Sequence, residues 1–241
     1  ILKDFKNMTD NPLKKYSSRP GTFVTLPSGG KYYDVHPKLT ADGEIEIRPM
    51  TASDEIRLKN PDGLMNSESL FQVIEHVVPG ITDARDIPTI DLDVIVIGMR
   101  IATYGNEMDV DIKCGKCSES ETYQISLSSI LANATPMATI DTIEFDNLII
   151  HVKPHTAESS SLLSNYQVEL LRGARHIEKL TKDGVEDIDA NKEFAAIMQR
   201  GSTLIFDIAS KHIVSIETPD DGVITDTQLI IELLVDLPAP V

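Results

Sequence analysis

The feature that most constrains the fold is a switch to a two-residue periodicity on both sides of a cysteine pair. Between Met108 and Lys113 apolar residues alternate with polar ones, and a second alternating segment covers 122–127. Cys114 and Cys117 lie between these segments. Because successive side chains of a strand point to opposite faces, two such segments around a compact turn indicate a β-hairpin. The sequence therefore predicts that the cysteine pair lies at a hairpin tip.

The rest of the first two-thirds of the chain predicts short strands and helices. A strand is expected at 23–26, and a second strand at 31–35 should pair back on the first through a turn at Gly29-Gly30. Another strand is expected at 44–48. An extended pair is expected at about 139–153, with its turn at Asp146-Asn147. Helices are expected after Thr51 or Ser53, from a Ser67 cap to Val78, and over 92–104 between Asp91 as cap and Gly105 as stop.

The last third of the chain has helical spacing of its apolar residues. Helices are expected at 157–180, 190–199, 202–216 and 226–236, with an exposed turn at 182–187. These elements predict an α+β fold, in which small β-hairpins or a mixed sheet accompany a helical C-terminal third. The predicted organisation is an extended N-terminal arm at 1–20, a mixed α/β domain at 21–156, and a helical region at 157–241 that packs on it.

The charge balance disfavours two kinds of partner. The 38 acidic and 22 basic residues give a formal net charge of −16. Binding to nucleic acid or to an anionic membrane begins with cationic side chains, so both partners are disfavoured. The chain contains no apolar run of about 18 residues that could span a bilayer. Two cysteines do not form a disulfide framework, which fits assembly in a reducing cytoplasm.

The cysteine pair has three possible roles. A dithiol oxidoreductase is disfavoured for two reasons. The cysteines of such an enzyme lie where a strand enters a helix, whereas here a segment with two-residue alternation follows the pair. The acidic residues after Cys117 are also expected to raise a thiol pKa. Cys114 and Cys117 also form half of a tetrahedral zinc site. His151 and His155 lie roughly 13 Å apart on an extended strand, too far to share one ion without a bend. A site shared with another chain, and a metal-free or disulfide-linked knuckle, both stay open.

Other catalytic signals are weak. The segment Ser28-Gly29-Gly30-Lys31 lacks the spacing of a phosphate-binding loop and is interpreted as a turn. The acidic pairs Asp91/Asp93 and Asp109/Asp111 are interpreted as helix caps and solvated strand faces. The prediction is a protein that is not an enzyme and takes no small-molecule substrate.

The order of elements resembles that of a known family. The residues that carry the resemblance are a Pro27-Ser28-Gly29 strand end, a strand ending in Arg48-Pro49-Met50-Thr51, a helix closing on Ala102-Thr103-Tyr104-Gly105, and the cysteine hairpin with its returning strand. This order resembles the baseplate (hub) proteins of T4-like contractile-tailed phages. The resemblance implies a non-enzymatic virion or assembly protein that packs against other phage tail proteins in multiple copies. It also implies assembly in the host cytoplasm and a final location in the tail baseplate, in the hub or the inner wedge layer.

Interfaces are the expected functional sites. The residues predicted to form them are Phe5, Leu13 and Tyr16 of the arm, Lys116 of the hairpin tip, and Leu229 and Leu233 of the last helix. No cofactor is expected, with zinc on Cys114 and Cys117 as the alternative. The alternative functions are an assembly chaperone absent from the virion and a zinc-ribbon-like binding module.

Overall fold

The computed structural model describes residues 20–60, 67–134, 141–182 and 188–237. The α+β fold is confirmed, with small antiparallel sheets and a helical C-terminal part. The first half contains β1 (Thr22–Thr25), β2 (Glu44–Ile47), α1 (Ala52–Leu58), α2 (Glu68–Val77), α3 (Thr89–Tyr104), β3 (Glu107–Lys113) and β4 (Ser120–Ser126). The second half contains α4 (Leu127–Ala132), β5 (Thr142–Phe145), β6 (Leu148–Val152), α5 (Ala157–Lys182), α6 (Ile188–His212), β7 (Ile213–Thr218), β8 (Gly222–Ile224) and α7 (Thr227–Asp236).

The main core lies where α2 and α3 pack on the β1–β2 sheet. The apolar residues of both strands that face this core are buried, Val24 opposite Ile45 and Ile47 further along β2. Helix α3 approaches closely because it presents Gly98 to the sheet, where a Cβ would lie 2.5 Å from Cδ1 of Ile47. Gly105, with a φ of 93°, ends the helix as predicted.

The partner of the first strand differs from the prediction. β1 pairs with β2, and residues 31–35 form turns instead of a returning strand. The pairing with β2 brings Val24 beside Ile45 on the buried face, because residues opposite each other in an antiparallel pair share one face. The Tyr33 hydroxyl donates a hydrogen bond to the buried carboxylate of Asp91 in the first turn of α3.

Two predicted helix caps have different outcomes. Thr51 and Asp54 form a reciprocal capping box at the start of α1, as local sequence indicates. α2 is confirmed as a helix, but Ser67 makes no side-chain capping bond and adopts a left-handed φ of 59°.

The C-terminal part is built on two long helices that pack against each other. α6 is one continuous helix where two helices were predicted, because Gly201 packs against Tyr166 of α5 instead of breaking the helix. The prediction of a helix through residue 216 is wrong beyond His212, where β7 begins. β7 pairs with β6 and β8, and the result is the four-stranded sheet β5-β6-β7-β8.

This sheet combines strands from both sides of residue 157, so the two predicted regions share backbone hydrogen bonds. The proposed division at 156/157 stays a prediction. Within the described ranges, no helix combines the length and apolar character needed to cross a bilayer.

Candidate interaction surfaces and the cysteine hairpin

The β3–β4 hairpin is confirmed, and its two faces differ in chemistry. Seven residue pairs join the strands from Glu107↔Ser126 to Lys113↔Ser120. Because opposite residues share a face, Met108, Val110 and Ile112 lie on the same side as Tyr123 and Ile125. Ile112 and Tyr123 are 51% and 46% exposed. The outer part of this apolar face is therefore exposed at Ile112 and Tyr123, whereas its residues nearer the base are half-buried.

The base of this hairpin is fixed to the body by Asn106. Its side-chain oxygen accepts from the backbone N–H of Ser128 at 2.7 Å, and its carbonyl accepts from the N–H of Leu127 at 3.0 Å. Leu127 is buried. Beyond this base, residues 111–124 are all exposed, so the hairpin presents its tip away from the core.

The cysteine pair lies at the tip, as predicted. The turn is closed by the N–H of Cys114, which donates to the carbonyl of Glu119 at 2.8 Å, and by the N–H of Ser118, which donates to the carbonyl of Cys114 at 3.0 Å. Both cysteines are free thiols and both are exposed. Lys116 between them is exposed as well.

The prediction that nearby carboxylates raise the thiol pKa is wrong for Cys114. Backbone hydrogen bonds from Cys117 and Lys116 lower the pKa of the Cys114 thiol. The Cys117 thiol in turn lies 3.6 Å from a carboxylate oxygen of Glu119. A redox role is still disfavoured, because a strand and not a helix follows the pair.

The histidines considered as metal ligands are engaged elsewhere. Nε2 of His151 lies 2.8 Å from Oε1 of Glu217, across the β6–β7 pair. The ring of His155 packs edge-on against His212, with 4.5 Å between centroids. Among the residues in the described ranges, no group of three or more His, Cys, Asp or Glu side chains could hold a metal ion. The described residues thus supply Cys114 and Cys117 as a half-site.

Sequence reasoning missed a buried serine–histidine contact in the C-terminal part. Ser159 near the start of α5 and His212 at the end of α6 lie 2.8 Å apart, Oγ to Nε2, and both are buried. Burial, reinforced by the neighbouring charges of His155 and Lys153, lowers the pKa of His212 to about 4. The contact links the start of α5 to the end of α6 in a site closed to solvent.

The interpretation of Asp91 as the cap of α3 is wrong, because Pro88 occupies the N-cap position and Asp91 lies in the first turn. Its side chain is fully buried and accepts from the Ser28 N–H at 2.8 Å, from the Ser28 hydroxyl, and from the Tyr33 hydroxyl at 2.9 Å. Burial raises the pKa of this carboxyl, and the hydrogen bonds from Ser28 and Tyr33 oppose that shift. The Ser28-Gly29-Gly30 segment is a turn, as predicted, and Asp91 ties that turn to α3.

The remaining predicted interface residues have mixed outcomes. Leu229 of α7 is 52% exposed, and Leu233 is partly buried. The arm residues Phe5, Leu13 and Tyr16 lie outside the described residues. Interface roles for all of them stay predictions.

A second apolar surface lies beside the hairpin base. It is a groove of about 1030 Å³ along α3 and α4, lined among others by Leu92, Val96 and Ile130. Ala134, the last residue of the described range 67–134, also lines this groove.

Comparisons with known proteins give one match. The family model described as T4 bacteriophage base plate protein matches residues 20–237. The match covers the core, the hairpin and the C-terminal helices. Searches of curated proteins and of solved structures return no match.

Proposed function

Since the chain belongs to the T4 bacteriophage base plate protein family, we propose that it is a structural component of the baseplate hub or inner wedge layer. It acts through protein–protein interfaces and catalyses no reaction. Its partners are other phage tail proteins, present in several copies, and its final location is the virion tail. The observation that carries this proposal is the family match over residues 20–237, which includes the hairpin.

The β3–β4 hairpin is the interface that the geometry supports best. An isolated two-stranded hairpin is only marginally stable in water, and three or more strands or a packed face are usually needed. Here Asn106 fixes the base, but Ile112 and Tyr123 remain exposed on one face. A neighbouring subunit that packs on this face would bury apolar surface and rigidify the hairpin.

Charge agrees with a protein partner. The formal charge of −16 disfavours contact with nucleic acid and favours neighbours that offer apolar or basic surfaces. The opposite face of the hairpin, which carries Asp109 and Asp111, is suited to solvent or to a basic rim around the contact.

The test is a charged substitution on each face of the same hairpin. Ile112→Lys places a charge on the apolar face, and Gln124→Lys makes the same charge change on the polar face. Both positions are exposed, so neither change disturbs the core. We expect Ile112→Lys to reduce incorporation into purified tails at least about tenfold, which corresponds to about 1.4 kcal/mol of binding free energy. Gln124→Lys should incorporate as the unchanged chain does.

Equal incorporation of both variants would remove the hairpin as the interface. The chaperone alternative predicts that the chain is absent from finished particles, so particle composition separates the two roles.

A further inference from the structure

Cys114 and Cys117 form a half-site for a soft metal ion that the rest of the described chain does not complete. Two thiols two residues apart on a tight turn are the ligand spacing of structural zinc sites. The turn is held by backbone hydrogen bonds at both ends, and Ser118 takes a φ of 59° that turns the chain back into β4. Both thiols are reduced and face solvent.

The missing ligands must come from outside the described residues. Structural zinc is bound by four ligands in tetrahedral geometry. No third His, Cys, Asp or Glu in the described ranges joins the pair in a group that could hold an ion. Glu119 is the nearest acidic neighbour, with Oε2 3.6 Å from the Cys117 sulfur, and adds at most a third ligand. His151 and His155 contact Glu217 and His212 instead.

Symmetry favours a second copy of this chain as the source. A two-fold axis through one ion brings two identical cysteine pairs together and completes a four-sulfur set without any further residue. Residues 113–121 carry two lysines and two glutamates, so the tip is locally neutral although the chain carries −16. The tips themselves therefore add little charge repulsion where two of them meet.

We propose that Cys114 and Cys117 bind zinc jointly with the same two residues of a second copy, so that one ion bridges two hairpin tips. The proposal deepens the interface role proposed for the hairpin and rests on it. Each of the four thiols loses its proton to solvent as its sulfur binds the ion, and no electron is transferred.

The surroundings of the pair favour the bound state. A zinc ion with four thiolates carries a charge of about −2. Lys113 and Lys116 of each copy lie next to the pair in sequence and bring positive charge close to it.

The experiment titrates the reduced, metal-free chain with zinc and follows molar mass by light scattering. We expect about one zinc ion per two chains, a doubling of mass, and reversal by a chelator. Cobalt in place of zinc should give the d–d absorption of a tetrahedral site together with a thiolate-to-cobalt charge-transfer band. Cys114→Ser and Cys117→Ser should each abolish both the metal binding and the doubling of mass. Ser120→Ala, an exposed change in the same hairpin, should leave both intact.

Three results would overturn the bridge: no zinc binding, one ion per monomeric chain, or a zinc-dependent dimer that survives Cys114→Ser. The cysteines are exposed, so far-ultraviolet circular dichroism should show unchanged folding of the variants. The measurement uses the chain without other tail proteins. A negative result therefore removes the zinc bridge and leaves the baseplate role to be decided by particle composition.

Discussion

The buried carboxylate of Asp91 gives the sharpest prediction for stability. It accepts three hydrogen bonds, two from Ser28 and one from Tyr33, and through them it anchors the turn after β1 to the first turn of α3. Asp91→Ala removes the acceptor and leaves the donors of Ser28 and Tyr33 without a partner. We expect the variant to fold less stably and to lose the fixed position of this turn.

The magnitude follows from the burial of the three donors. A buried donor left unsatisfied costs about 1–3 kcal/mol. Ser28 is 5% exposed and contributes two donors, while Tyr33 is only partly buried and regains some hydration. Removal of a buried carboxylate also relieves its own desolvation, which offsets part of this cost. We therefore expect the free energy of unfolding to fall by about 3 kcal/mol.

The assay is urea denaturation at neutral pH, followed by far-ultraviolet circular dichroism. Asp93→Ala is the matched control, because Asp93 lies in the same helix but is exposed. It should change the unfolding free energy by less than about 0.5 kcal/mol. Combining Asp91→Ala with Ser28→Ala should cost less than the two changes added, by about 1 kcal/mol or more. Strict additivity, or an Asp91→Ala variant as stable as the control, would refute this account of the turn.

Two further predictions concern the packing of the long helices. The pKa of His212 is lowered from 6.5 to about 4, so the unfolded chain takes up a proton before the folded chain does. The contribution of neutral His212 to the free energy of unfolding is therefore complete above pH 6.5. It is lost as the pH falls to about 4, by at most about 3 kcal/mol. Urea titrations at several pH values should show this loss of stability, and His212→Gln should make it smaller. Gly201→Ala places a Cβ 1.9 Å from Cζ of Tyr166 and should lower the thermal midpoint in calorimetry, with a cost of about 1–3 kcal/mol. Gly115→Ala, which meets nothing within 4 Å, should leave the midpoint unchanged, and equal effects of the two glycine changes would contradict the packing described.

Features set by neighbouring residues could be predicted from the sequence. The hairpin follows from alternation on both sides of a turn, and Thr51 is one of the two caps that the sequence offers for α1. Gly105 ends α3 because a glycine readily adopts the positive φ found there.

Features that depend on residues distant in sequence could not be predicted in this way. Asp91 is read locally as a helix cap, and only its contacts with Ser28 and Tyr33, about sixty residues away in sequence, explain its burial. Gly201 on its own favours a break in a helix, and only its close packing against the ring of Tyr166 explains why the helix is continuous. Ile213 to Ile216 continue an apolar helical pattern, and pairing with β6 decides that they form a strand.

The candidate site divides in the same way. The position of Cys114 and Cys117 at a hairpin tip could be predicted, since it depends on local alternation. The lowered pKa of the Cys114 thiol could not, because it arises from the direction of backbone N–H groups within the turn. The register places Ile112 and Tyr123 on one face of the hairpin. Their exposure could not be predicted, because it depends on whether another element of the fold covers that face.

The central claim is that this chain is a structural part of the baseplate, and the composition of purified phage particles tests it most directly. Quantitative mass spectrometry should find the chain in intact virions and in isolated baseplates, in a fixed ratio to other tail proteins. A chain that is abundant in infected cells but missing from both preparations would contradict the claim and identify an assembly factor instead.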